Sequence, residues 1–280
     1  MDALPDSPAW RQFLELVEFQ PASIPLDLGA LLIAGQAQPA LQIQQWLAKL
    51  DAMGEQVRAA TPAGADSATK LTVLTDYLTD IIGLRGNEND YYEPENSYLN
   101  RVIERALGIP ITISVLYLEV GRRSGVPLKG IGFPGHFLLK HCETPIGYLD
   151  PFDPRRILDT DDLHAMLERV SRGAVQLQPE HLAPTTNREI LVRMLANLKL
   201  VHTQRDEWAR AVRMCDGILA LEPDRVQEYR DRGHFHAQLE FDGHAAADLE
   251  HYLAIAPNAP DADSVRGELE NVRERLSHYH

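Results

Sequence analysis

The stretch that decides the fold reads Gly125-Val126-Pro127, then Phe133-Pro134-Gly135-His136-Phe137, then Tyr148-Leu149-Asp150-Pro151. Three short apolar, β-type runs, 129–133, 137–140 and 146–149, are separated by Gly and Pro turns. That pattern predicts a small antiparallel sheet. His136 leads into the second run and Asp150 closes the third, so adjacent strands bring the two side chains near each other. A His–Asp pair of this kind supplies two of the three parts of a nucleophilic triad, the base and the carboxylate that orients it.

Outward from this stretch, the amino-terminal side is helical. Trp10, Phe13, Leu14, Val17 and Phe19 fall near helical spacing, as do Leu41, Ile43, Trp46, Leu47 and Leu50, and then Leu71, Leu74, Tyr77, Leu78, Ile81 and Ile82. The stretch 62–67 is a loop, and Ser67 or Asp66 caps the helix that follows. Residues 1–83 therefore read as packed helices without chemistry of their own.

From 86 to 96 the chain is polar and turn-rich, with Tyr91 and Tyr92 expected to be sheltered by the loop folding back on the core. Ser97 or Asn96 is placed to cap a helix through Leu99, Val102, Ile103 and Leu107 that stops at Gly108. Pro110 suits the first turn of the next helix, where its missing N–H costs nothing. Ile111, Ile113, Val115, Leu116, Leu118 and Val120 mark that helix as the buried centre of the domain. Helices followed by a small antiparallel sheet make an α+β unit, closed by a helix over 161–172 with Thr160 as its cap. Its expected bounds are 84–182.

The segment 183–280 carries a repeat. Pro223 and Pro257 lie 34 residues apart, the tetratricopeptide period. Twelve residues before each proline stand Ala211 and Ala245, the small residues of a helix–helix crossing. Leu198 and Gly233 suit tight contacts within each unit, and Asp206-Glu207-Trp208 and Asp242-Gly243-His244 roughly match as inter-helix turns. A final helix over 264–276 caps the all-α array.

Composition narrows the function. A formal net charge of −14 with no long Lys/Arg run argues against nucleic acid as a partner. No apolar run approaches a membrane span, and the first six residues lack a basic leader region, so a soluble cytoplasmic protein is expected. Cys142 and Cys215 form neither a disulfide framework nor a metal-type spacing. Cys215 falls where an apolar residue would pack, and Cys142 sits near a turn six residues after His136. His234, His236, His244 and His251 invite a metal reading. Only His244 and His251 share a helical face, however, and no carboxylate completes a set, so no metal or cofactor is expected.

Several motifs together resemble the transglutaminase-like superfamily, in its bacterial branch with C-terminal tetratricopeptide repeats named after a Salmonella invasion-gene regulator. They are Asn89-Asp90-Tyr91-Tyr92, Asn96-Ser97-Tyr98-Leu99-Asn100, the run from Gly108-Ile109-Pro110 to Tyr117, Phe133 to Leu139, and Leu149-Asp150-Pro151-Phe152. The resemblance implies a papain-like α+β core with His136 and Asp150 at the family's catalytic histidine and aspartate. In active members a cysteine opens the central helix, where the helix dipole and the histidine stabilise its thiolate. Here that place falls near Pro110 to Thr112 and holds no thiol.

Two functions follow. In the first, the chain is a non-catalytic scaffold whose groove and tetratricopeptide surface bind a protein or peptide. His136 and Asp150 then persist as a hydrogen-bonded remnant. In the second, Thr112 or Ser114 replaces the cysteine, and the pair drives a residual amide or isopeptide hydrolase or acyltransferase. An alcohol needs stronger activation than a thiol, and hydroxyls at helix starts commonly bond to backbone, which favours the scaffold. Asn89, Tyr91, Tyr92, Asn96 and Asn100, with Asn87 and Asp90, either line the cleft beside His136 or hold their own loop through Asx-turns and caps.

Overall fold

The computed structural model describes residues 7–20, 23–143 and 146–278. The chain divides into two compact units. One is Ser23–Leu191, and the other gathers the first helix with the chain from Val192 onward.

The first helix, α1 (Pro8–Phe19), starts where the Ser7 hydroxyl accepts the Trp10 N–H at 3.1 Å. Trp10, Phe13 and Val17 are buried, but Phe19 is 75% exposed. It lies nine residues, two and a half turns, beyond Trp10 and so faces the opposite way. Helix α2 (Leu26–Ala37) is buried on nearly every side, which leaves no polar stripe and hence no period to read. Helix α3 (Ile43–Ala60) follows, then α4 (Ser67–Asp76), capped by Asp66 on the Thr69 N–H at 2.8 Å. A π-helical turn, Tyr77–Ile81, adds a residue to the last turn. Tyr77 and Leu78 stay inside, and Ile81 is rotated out to 71% exposure.

Strand β1 (Arg85–Gly86) leads to a 3-10 turn, Pro94–Ser97, and to α5 (Leu99–Arg105), after which β2 (Leu107–Gly108) pairs in parallel with β1. Two expectations fail here. Tyr98, not Ser97 or Asn96, occupies the cap position of α5, because the Asn96 side chain is engaged within its loop. The helix also ends at Arg105, since Ala106 turns left-handed (φ 52°) and hands Leu107 and Gly108 to β2. Helix α6 (Pro110–Ser124) is the buried central helix, with Pro110 in its first turn and Gly125 (φ 79°) ending it.

Strands β3 (Leu128–Ile131), β4 (Leu138–His141), β5 (Tyr148–Asp150) and β6 (Asp153–Leu158) form one antiparallel sheet in that order. Phe133 and Phe137 belong to the β3–β4 turn rather than to the strands. The charged β6 has no apolar run to announce it. Helix α7 (Thr160–Ser171) is capped by Asp159 through a reciprocal box with Asp162, in place of Thr160. Ile131, Phe133, Leu138, Leu158, Leu163, Met166 and Leu167 form the core between sheet and helix. The α+β class holds.

The division between the units falls within α8 (Asn187–Gln204), which is followed by α9 (Trp208–Leu221), α10 (Val226–Gln238), α11 (Asp242–Ile255) and α12 (Ala262–His278). Ala211 and Ala245 are fully buried, and a Cβ on Gly233 would stand 2.8 Å from Leu249. Asp206 and Glu240, 34 residues apart, are both left-handed (φ 55° and 60°). The second turn is therefore 239–241, and Asp242-Gly243-His244 instead opens α11. Glu seldom adopts that backbone, which hid the match. In the same unit α1 packs on α9, where a Cβ on Gly217 would meet Trp10 at 2.7 Å.

Candidate functional site

The site region is built around the amino end of α6 by the loop 86–97 and by the β4–β5–β6 edge of the sheet. Gly86 allows the Phe152 ring to approach, since a Cβ there would lie 2.7 Å from it. The Asn87 N–H donates to Gly108 at 2.9 Å, fixing the loop to the residues just before α6.

Asn96 organises the loop. Fully buried, its Oδ1 accepts from Asn87 Nδ2 at 3.1 Å, and its Nδ2 donates to the carbonyls of Asp90 (2.7 Å) and Tyr91 (3.3 Å). Asn87 Oδ1 in turn accepts the Asp90 N–H at 3.2 Å. These side-chain bonds tie the loop to itself across three to nine residues. Asn89 is exposed. Tyr91 and Tyr92 are 42% and 48% exposed and stack edge to face at 5.3 Å. They cover each other instead of folding into the core, contrary to expectation. Asn100 points elsewhere: its Nδ2 donates to Gln38 Oε1 at 2.9 Å.

Thr112 and Ser114 on α6 are both fully buried. The Thr112 hydroxyl donates to the Asn96 carbonyl at 2.7 Å, joining helix to loop. Ser114 Oγ has no hydrogen-bond partner among the described residues. His136, half-buried, stands at the end of the β3–β4 turn, where its N–H donates to the Phe133 carbonyl at 3.0 Å and Gly135 adopts φ 71°. Leu139 pairs with Leu149 and Lys140 with Tyr148, so Asp150 falls opposite Leu138, two residues along from His136. Asp150 Oδ1 accepts the Phe152 N–H at 2.9 Å, opening the turn into β6.

One feature escaped the sequence pattern. At the other end of α6, Arg123 is nearly buried and reaches Asp27 and Glu119, each at 2.5 Å, and Asp51 at 2.7 Å. Burial, with Asp27 close by, raises the Glu119 carboxyl above its usual range despite Arg122 and Arg123. Glu119 stands four residues before Arg123 on the same helix, a spacing the sequence shows, but Asp27 and Asp51 come from α2 and α3, and no local spacing reveals them.

The two cysteines are free. Cys142 is exposed after β4, and burial pushes the Cys215 thiol up. The four histidines do not gather. His234 contacts Glu268 at 2.8 Å, His251 lies on Tyr229, and His236 stacks on His244 at 5.2 Å. Burial lowers His236 to about 4. Among the described residues no group of three or more His, Cys, Asp or Glu is placed to hold a metal, and no helix is long and apolar enough to cross a membrane.

Comparison with known proteins agrees with this architecture. Residues 44–196 match the Transglutaminase-like superfamily, and residues 198–270 match the Tetratricopeptide repeat. A UPF0162 protein of Xylella fastidiosa is 36% identical over 266 residues, 94% of each chain. Protein SirB1 of Salmonella typhimurium is 24% identical over 192 residues, 68% of this chain and 71% of its own. F-box only protein 21 of Homo sapiens is 31% identical over 169 residues, 56% of this chain and 26% of its own. No solved structure matches the chain significantly.

Proposed function

Because the chain belongs to the transglutaminase-like superfamily, in the SirB-type branch with C-terminal tetratricopeptide repeats, we propose that it is a non-catalytic scaffold that binds a protein or peptide. The observation that carries this reading is the amino end of α6. No thiol stands there, and the Thr112 hydroxyl is committed to the Asn96 carbonyl. Ser114 is enclosed, without a base at hydrogen-bond distance. A nucleophile needs a base within reach and an open approach for substrate, and neither hydroxyl has both.

Binding is assigned to the tetratricopeptide helices, since such arrays commonly present an extended recognition surface. Leu200 on α8 is 47% exposed and gives that surface an apolar contact. The net charge of −14 supports a protein partner over nucleic acid. An exposed free thiol at Cys142 suits the reducing cytoplasm.

The test pairs turnover with capture. Purified chain is assayed for incorporation of dansylcadaverine into a glutamine peptide and for cleavage of an isopeptide-linked peptide pair. Wild type and His136→Ala should both match the buffer control. A partner cross-linked in lysate should be retained by His136→Ala and lost by Leu200→Glu. Turnover that disappears with His136→Ala defeats the proposal.

A further inference from the structure

At the end of α6 remote from Thr112, a cleft of about 740 Å³ opens between the edge of β3 and the start of α8. Its floor is apolar, with Leu26, Leu118, Val126 and Ile190. The backbone of β3 forms one wall. The Cys142 N–H donates to the Pro127 carbonyl at 2.9 Å, and the β3–β4 register continues from that pair. In this ladder Lys129 and Ile131 turn their N–H and C=O groups towards β4, whereas Leu128 and Gly130 turn theirs away from it.

The chain itself takes the first place on this open edge. Pro184 bridges to Ile131 in antiparallel sense, and the Thr185 N–H donates to the Gly130 carbonyl at 2.8 Å. It then leaves the edge to enter α8. Behind it, the Leu128 N–H and C=O and the Gly130 N–H face the cleft without a protein partner among the described residues. Backbone groups on a sheet edge are a template for another strand.

Side chains set what that strand should carry. On the inner face of β3, Leu128 lies against α6, and the Gly130 position lies under Phe137 and Ile190. On the outer face Lys129 stands directly opposite Lys140, a like-charge pairing that weakens a sheet. Lys140 is placed over the Tyr148 ring, 5.0 Å from its centre. Lys129 is exposed and has no carboxylate partner among the described residues. Arg122, 61% exposed, also lines the cleft but is paired with Glu119 at 2.9 Å. Glu143 lies three positions along from Lys140, so Lys129 is the cation that sets the charge beside the open edge.

We propose that this cleft binds an extended peptide of alternating apolar and acidic residues as a fifth strand on β3. Its apolar residues cover Leu26, Leu118 and Ile190, and its acidic residues pair with Lys129. This site is separate from the amino end of α6 and from the tetratricopeptide surface, so it stands or falls independently of the scaffold reading.

The probe is a capped, fluorescently labelled Val-Glu-Val-Glu-Val-Glu-Val, titrated against the full chain by anisotropy, with the Val-Lys counterpart beside it. The acidic peptide should bind, and the lysine peptide should not. Of two analogues, N-methylated at the Val or at the Glu residues, one should lose binding, because only one edge of a strand pairs. Amide exchange at Leu128 and Gly130 should slow in the complex. Lys129→Glu should weaken the acidic peptide by about threefold and bring in the lysine peptide. Failure of the acidic peptide to bind, equal binding of both peptides, insensitivity to methylation, or unchanged preference in Lys129→Glu overturns the proposal.

Discussion

Thr112→Val isolates the role of the hydroxyl at the place where the family resemblance puts a cysteine. Valine preserves the branched shape and deletes only the donor. Thr112 and Asn96 are both fully buried, so neither water nor a moving neighbour can replace the 2.7 Å bond to the Asn96 carbonyl. The volume hardly changes, so the cavity term is small. The main cost is a buried carbonyl left without its donor, about 1–3 kcal/mol. Thr112→Ser keeps the donor and loses one buried methyl, about 1 kcal/mol. At a urea dependence of about 2 kcal/mol per molar, a 2 kcal/mol loss lowers the unfolding midpoint by about 1 M with an unchanged slope. Urea titration by circular dichroism measures both. A Val variant that unfolds with wild type refutes the structural assignment. So does a Val variant that loses a turnover the Ser variant keeps, because that outcome makes the hydroxyl a nucleophile.

Arg123→Met leaves Asp27 and Glu119 buried without their shared partner, at a cost of about 3 kcal/mol, the low end of the usual range because Arg122 still reaches Glu119 at 2.9 Å. A carboxyl raised by the fold holds its proton more tightly there than in the unfolded chain. Lowering the pH therefore favours the fold, and the deficit of Arg123→Met should be smaller at pH 5 than at pH 7.5 in denaturation experiments. Gly54→Ala places a Cβ 2.3 Å from the Arg123 Cβ where α3 crosses α6. Overpacking should outweigh the gain of about 1 kcal/mol in helix propensity and lower the melting temperature. Glu268 raises the His234 pKa chiefly through their hydrogen bond. That contribution to stability is full below the unfolded pKa and fades as pH rises through the folded one. Glu268→Gln should return His234 to or below the ordinary imidazole range in an NMR titration.

What the sequence made legible was periodic or punctuated. The proline period, Ala211, Ala245 and Gly233 located the repeats, and the Gly and Pro turns around His136 located the sheet. What stayed hidden had a physical cause in each case. Helix α2 is buried all round and so shows no stripe. The π-turn shifts the phase of the pattern after Tyr77, which misplaces Ile81. Glu240 adopts a backbone that its residue type rarely advertises. At the site, the polar loop was recognisable from composition. Its organisation by Asn96, and the meeting of Asn96 with Thr112, depend on contacts across sixteen residues and a turn of helix. In the ion cluster around Arg123, the i,i+4 pair with Glu119 follows a local rule, but the arrival of Asp27 and Asp51 from two other helices does not.

The division of the chain has a consequence for its birth on the ribosome. The segment Ser23–Leu191 is continuous and can condense once it has emerged, whereas α1 belongs with helices encoded well downstream of it. Trp10 finds its seat against Gly217 more than two hundred positions later. At typical elongation rates that is a wait of about 10–40 s. For that interval the nascent chain carries a Trp10–Phe13 face without its α9 partner, and the change in Trp10 environment when α9 arrives is a fluorescent report of that late docking.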